Sequence, residues 1–86
     1  MGMVENMRVV VKFFASLREI TGKEKIEIDV EEGCTVGKVL ETFKNQYPEM
    51  RKYTDVILSL NRQYCTGDEK LSEGDEVTIM PPLSGG

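Results

Sequence analysis

The sequence contains no histidine and no tryptophan. Without histidine it lacks the side chain that titrates near physiological pH, and with it the commonest general base and metal ligand. Cysteine is scarce as well. Cys34 and Cys65 stand far apart, with no Cys-x-x-Cys pair and no neighbouring cluster of further ligands. Zinc, iron–sulfur and dithiol redox roles therefore have nothing to build on, and the two residues read as reduced thiols of a cytoplasmic protein. No uncharged apolar run approaches the ~20 residues that a membrane-spanning helix needs. Basic charge is in deficit, with 11 Lys+Arg against 15 Asp+Glu for a net of −4, and the basic residues are interleaved with acids. Binding to a phosphate backbone needs a basic stripe, so neither nucleic acid nor membrane is an expected partner. The acidic balance suits a protein partner with a basic surface. At 86 residues the chain is one domain that buries roughly 60–65% of its unfolded surface. It has little room for a deep pocket of its own. A carrier, adaptor or subunit is expected rather than a self-contained enzyme.

What the sequence does have is a distinctive end, Met80-Pro81-Pro82-Leu83-Ser84-Gly85-Gly86. The two prolines fix φ near −65° and remove two backbone donors, so the segment cannot continue as an inner strand. The two glycines take almost any backbone conformation at little steric cost. A stiff base with a thin tip suits insertion into a partner's narrow cleft, with the α-carboxylate of Gly86 as the functional group. Frayed terminal glycines are the bland alternative.

The body of the chain reads as alternating elements. From Met7 the period is two, with Met7, Val9, Val11 and Phe13 on one face, which predicts a strand. Segment 1–6 precedes this pattern and is expected to be a leader or a disordered start. A short helical turn from Phe14 is stopped by Gly22. A second alternation follows, with Ile26, Ile28 and Val30 inward, and predicts an antiparallel first pair. Thr35 reads as an N-cap. Val36, Val39, Leu40, Phe43 and Tyr47 then form one stripe of an amphipathic helix that ends before Pro48. Residues 49–55 read as a polar connection with room for a helical turn. Val56–Asn61 has the profile of a strand buried on both sides, Asn61-Arg62 that of a turn, and Gln63–Cys65 that of a brief strand. Thr66–Lys70 is loop, Leu71 is expected to plug the core, and Glu76–Met80 is the last strand, with Val77 and Ile79 inward. The first and last strands are both rich in β-branched residues, and the long connection between them holds the helix. They are expected to pair in parallel at the centre of the sheet. The predicted fold is α+β: a ubiquitin-like β-grasp domain over 7–80, a mixed sheet of about five strands with one main helix on one face, and a flexible tail at 81–86.

These residues carry a resemblance. Met7–Glu19 with its Phe13-Phe14-Ala15, Leu60–Tyr64, Leu71–Val77 with its Gly74-Asp75-Glu76-Val77, and Met80–Gly86 resemble, in order, segments of the MoaD family. This family comprises the sulfur-carrying small subunits of molybdopterin synthase, within a MoaD/ThiS ubiquitin-like superfamily that includes the small archaeal modifier proteins. The resemblance implies a protein that is not catalytic by itself. A MoeB-like enzyme of the ubiquitin-activating type would use Mg-ATP to adenylate the carboxylate of Gly86. Sulfur would replace the adenylate, and the resulting thiocarboxylate would serve a larger MoaE-like subunit in molybdenum cofactor biosynthesis. No cofactor is bound by the chain itself. The resemblance also implies that Phe14, Tyr64 and Met80 belong to an exposed apolar patch that meets both partners, with Pro81, Pro82, Leu83, Ser84 and Gly85 entering the partner. Parity agrees for two of them: Phe14 follows the inward Phe13, and Met80 follows the inward Ile79. Met80 stands where the family often carries a bulkier, aromatic residue. Asp68, Glu69, Asp75 and Glu76 are expected in loops leading toward the same end, where they would meet solvent or a basic partner surface. Two other functions fit the same tail: a protein modifier joined through Gly86 to lysines of target proteins, and a β-grasp binding module with an inert end.

Overall fold

The computed structural model describes residues 6–53 and 55–82. Strand β1 (Asn6–Phe13) begins one residue inside the expected leader, because Asn6 pairs with Glu31 at the end of β2 (Lys25–Glu31). The two strands are antiparallel, as the short connection predicts. Between them lies the helical turn α1 (Ser16–Thr21), which closes on Gly22 in the left-handed conformation at φ 73°. Helix α2 (Val36–Gln46) starts at Thr35, whose hydroxyl accepts the backbone N–H of Lys38 at 3.2 Å. It ends where Pro48 takes over in a 3₁₀ turn, Pro48–Lys52. Strands β3 (Ile57–Leu60), β4 (Gln63–Cys65) and β5 (Glu76–Met80) complete a five-stranded sheet.

The strand order is β2-β1-β5-β3-β4, with β1 and β5 parallel at the centre and all other neighbours antiparallel. The predicted central pairing is therefore observed, and this is the β-grasp arrangement. Helix α2 lies on one face of the sheet. Val36, Val39, Leu40 and Phe43 from α2 pack with Val9, Val11, Phe13, Val77 and Ile79 into one apolar core. The Phe43 ring meets Phe13 edge-on at 5.1 Å between centroids. Each such fully buried side chain stabilises the fold by about 1.5–3 kcal/mol. Leu71 joins this core as expected.

Two core residues were not visible in the pattern. Met50 sits in the segment read as a polar connection, yet the 3₁₀ turn folds it inward to complete burial. Leu17 is likewise fully buried from α1. No helix among the described residues is long and apolar enough to cross a membrane.

Candidate functional site

The sheet has one covered face and one open face, and residue parity decides which side chain lies on which. Val9, Val11 and Phe13 face the helix, so Arg8, Val10, Lys12 and Phe14 face away from it. On β5 the core residues Val77 and Ile79 leave Thr78 and Met80 on the open face. On β3 Leu58 is core, so Ile57 and Ser59 fall on the open side. The register places Ile57 directly opposite Met80, and Ser59 opposite both Thr78 and Tyr64. Phe14 follows Phe13, which pairs with Ile79, and the Phe14 amide donates to the Ile79 carbonyl at 3.2 Å. Phe14 thus flanks Met80 on the side opposite Ile57.

Three apolar side chains from β1, β5 and β3 therefore lie in one row across the open face. Phe14 is 46% exposed, and Met80 and Ile57 are half-buried. Tyr64 stands 81% exposed on edge strand β4, about two strand spacings or ~10 Å across from β5. The backbone turns sharply after Phe14, since Ala15 has φ 54°, a value rare for a residue with a side chain. This turn carries the chain into α1 toward the core while Phe14 remains outside.

The opposite end of the open face is charged. Arg8 bonds Asp29 at 3.2 Å and approaches Glu27 at 3.6 Å, and Lys12 meets Glu76 at 3.3 Å. The face thus divides into an apolar half, where β5 ends, and an ion-paired half, where β5 begins. Pro81 and Pro82 follow directly from the apolar half and are half-buried. Leu83, Ser84, Gly85 and Gly86 lie outside the described residues.

Phe14, Tyr64 and Met80 are accordingly brought to one face beside the base of the tail. Ile57 is the member that sequence reasoning missed. The signal was available in Ser59, whose polar side chain on a strand marks the non-core parity that Ile57 shares. Two of the acidic residues, Asp75 and Glu76, require a correction. Asp75 and Glu76 stand at the start of β5, at the far end from the tail. Their hydrogen bonds are internal: Asp75 accepts from the Ser72 amide at 2.7 Å and from the Asn61 side-chain amide at 3.0 Å. Glu69 accepts from the amides of Gly67 at 2.9 Å and Thr66 at 3.2 Å, which holds its carboxyl below the ordinary carboxylate value. These groups shape loops.

Nothing else on the described surface is poised for chemistry. Burial pushes the thiols of Cys34 and Cys65 up from their ordinary values, so both are protonated and weakly nucleophilic at neutral pH. Among the described residues no group of three or more His, Cys, Asp or Glu side chains converges as metal ligands would. The arrangement offers an apolar surface beside Pro81 and Pro82.

The model of the ThiS family matches residues 11–86. The chain is 32% identical over 82 residues to a molybdopterin synthase sulfur carrier subunit of Arabidopsis thaliana, covering 94% of this chain and 85% of that protein. It is 29% identical to small archaeal modifier protein 1 of Haloferax volcanii, over 87% of this chain and 97% of the relative. Among solved structures, a putative molybdopterin converting factor subunit 1 from Pyrococcus furiosus superposes with a TM-score of 0.81 at 30% identity. That match covers 90% of this chain and 99% of the other.

Proposed function

The chain belongs to the ThiS family, and from that premise we propose that it is a sulfur carrier acting through the carboxylate of Gly86. The observation that carries the reading is the apolar row of Phe14, Met80 and Ile57 at the root of the tail. An exposed apolar patch of this kind is an anchor for a protein partner. A tip of two glycines cannot supply the same affinity, because it has no side chains to bury against a partner.

The chemistry belongs to the partners. A carboxylate at neutral pH is a poor electrophile. In the cleft of a MoeB-like activating enzyme, an oxygen of the Gly86 carboxylate attacks the α-phosphorus of Mg-ATP and pyrophosphate leaves. The product is an acyl-adenylate. A sulfide-level nucleophile then attacks the acyl carbon, AMP departs, and a thiocarboxylate remains. Glycine has no Cβ to obstruct this approach. The larger, MoaE-like subunit of molybdopterin synthase then takes the tail and receives the sulfur for molybdenum cofactor biosynthesis. Two protonated, half-buried thiols suit a reducing, cytoplasmic setting.

The test is adenylate formation with a MoeB-like enzyme, followed by ATP–pyrophosphate exchange. Deleting Gly86, or adding one residue after it, abolishes exchange while the circular dichroism spectrum and melting temperature stay those of the intact chain. Normal exchange with either variant overturns the reading. A second reading is supported by the modifier relative: the same activated glycine passes to lysine amines. Intact-mass analysis of protein from its native cells separates the two. A thiocarboxylate species marks the carrier, and lysine-linked conjugates mark the modifier.

A further inference from the structure

The sheet has two edges, and they differ. Strand β4 is three residues long, whereas β2 runs for seven and has no second strand beside it among the described residues. The register shows which backbone groups are free on β2. The Phe13 amide donates to the Glu24 carbonyl, and with Phe13 and Glu24 as a bonded pair the alternation makes 11/26, 9/28 and 7/30 bonded pairs too. Ile26, Ile28 and Val30 thus spend their amides and carbonyls on β1. The amides and carbonyls of Lys25, Glu27 and Asp29 point out of the sheet edge.

The side chains of the first set are also incompletely covered. Ile26, Ile28 and Val30 are half-buried, although their neighbours Val9 and Val11 on β1 are fully buried. A groove of about 320 Å³ runs between β2 and α2, with Ile26, Ile28, Val30, Phe43 and Tyr47 among its walls. It shares Cys34 and Thr42 with a second hollow of about 460 Å³ at the end of β2, whose charged lining is Glu31, Glu32 and Lys38. An edge unpaired among the described residues, an aliphatic trough beside it and an acidic mouth at one end lie in line.

We infer that this groove takes an extended segment of another protein as a sixth, antiparallel strand on β2. Its alternate residues are aliphatic, and its N-terminal end carries basic residues that meet Glu31 and Glu32. Main-chain bonds to Glu27 and Asp29 give the affinity, and the trough selects the side chains. Antiparallel pairing is slightly the stronger of the two ladders. Charge gives a second copy no net gain as the occupant, because antiparallel pairing of β2 with itself about Ile28 sets Glu27 opposite Asp29 twice and Lys25 opposite Glu31 twice, so attraction and repulsion offset. The groove lies on the helix side, and its mouth is at the end of the sheet away from Met80. A protein held here leaves the open face and the tail free for the proposed activation. The inference does not depend on that chemistry.

The test uses the full 86-residue chain, labelled with nitrogen-15, and the capped peptide Arg-Lys-Val-Ile-Val-Ile. Expected are amide shifts along 25–31 and 39–47. Hydrogen exchange at Glu27 and Asp29 slows by about fivefold or more, with little change at Ile26 and Ile28, which are already bonded. Exposed-site reversal by Glu31→Lys with Glu32→Lys weakens binding about tenfold, and the peptide Glu-Glu-Val-Ile-Val-Ile regains it. Shifts confined to the face of Phe14 and Met80, no slowing at Glu27 and Asp29 at millimolar peptide, or indifference to both charge swaps each overturn the inference. A dimer in sedimentation that protects the same amides without peptide overturns it in favour of a second copy.

Discussion

Ile57 and Met80 stand directly opposite each other across β3 and β5, on the sheet face away from α2. Neither belongs to the buried core. Their pairing joins two apolar residues remote in sequence at the point where the chain leaves the fold for the tail.

Replacing Ile57 by Ser therefore separates docking from stability. Binding to the activating enzyme is expected to fall by about tenfold or more, as for an interface anchor worth above ~1 kcal/mol. The denaturant midpoint shifts by less than the equivalent of about 1 kcal/mol, since little buried surface is lost. Calorimetric titration beside urea unfolding reads both. A large loss of stability with unchanged affinity would move Ile57 from the docking row into the core.

Met50→Ala gives the opposite result. The side chain is fully buried by the 3₁₀ turn, so truncation removes its transfer energy and leaves a cavity, at a cost of about 2–5 kcal/mol. A domain with about 4–13 kcal/mol in total is then close to unfolding. Urea denaturation shows the drop, while affinity for the partner at low temperature is retained by the folded fraction.

Gly37 packs against Gly67 with no space between them. Its amide donates to the Gly67 carbonyl at 2.8 Å, and a Cβ on Gly37 would stand 3.0 Å from that same oxygen. Alanine is ordinarily better than glycine in a helix by about 1 kcal/mol. Here the backbone carbonyl must retreat and weaken the bond that satisfies the first turn of α2. Gly37→Ala is expected to destabilise by about 1 kcal/mol net. A rise in melting temperature would show that the loop yields freely.

Glu69 links stability to acid. Its carboxylate accepts backbone amides from Gly67 and Thr66, which lowers its folded-state pKa from the ordinary 4.5. The contribution is complete above that ordinary value. It is lost as pH falls from there through the lowered folded-state value, because the unfolded chain takes up the proton first. Glu69→Gln is expected to flatten the pH dependence of the urea midpoint in that acid range. An unchanged slope, or a carboxyl titration by NMR at the ordinary value, would contradict the bonding.

Much of the fold was legible because it rests on local rules. The β1 and α2 patterns, the Thr35 cap and the Gly22 stop are set by residue spacing and backbone preference, and each is observed where expected. Phe14 and Met80 were also legible, since parity beside a core residue is a local property. Met50 was not. A lone methionine among Glu49, Arg51 and Lys52 has no period to betray it, and only the packing of the turn on the core buries it.

The sequence by itself determined the elements, the tail and the side of each strand that faces the core, because side-chain alternation and proline and glycine geometry act within a few residues. Tertiary structure alone decided where β3 and β4 joined the sheet and which strands became its edges. Ile57 meets Met80, Glu69 closes its own loop against α2, and β2 is an open edge among the described residues, beside a groove. Those outcomes depend on contacts between residues far apart in the chain, and burying one continuous core is what fixes them together.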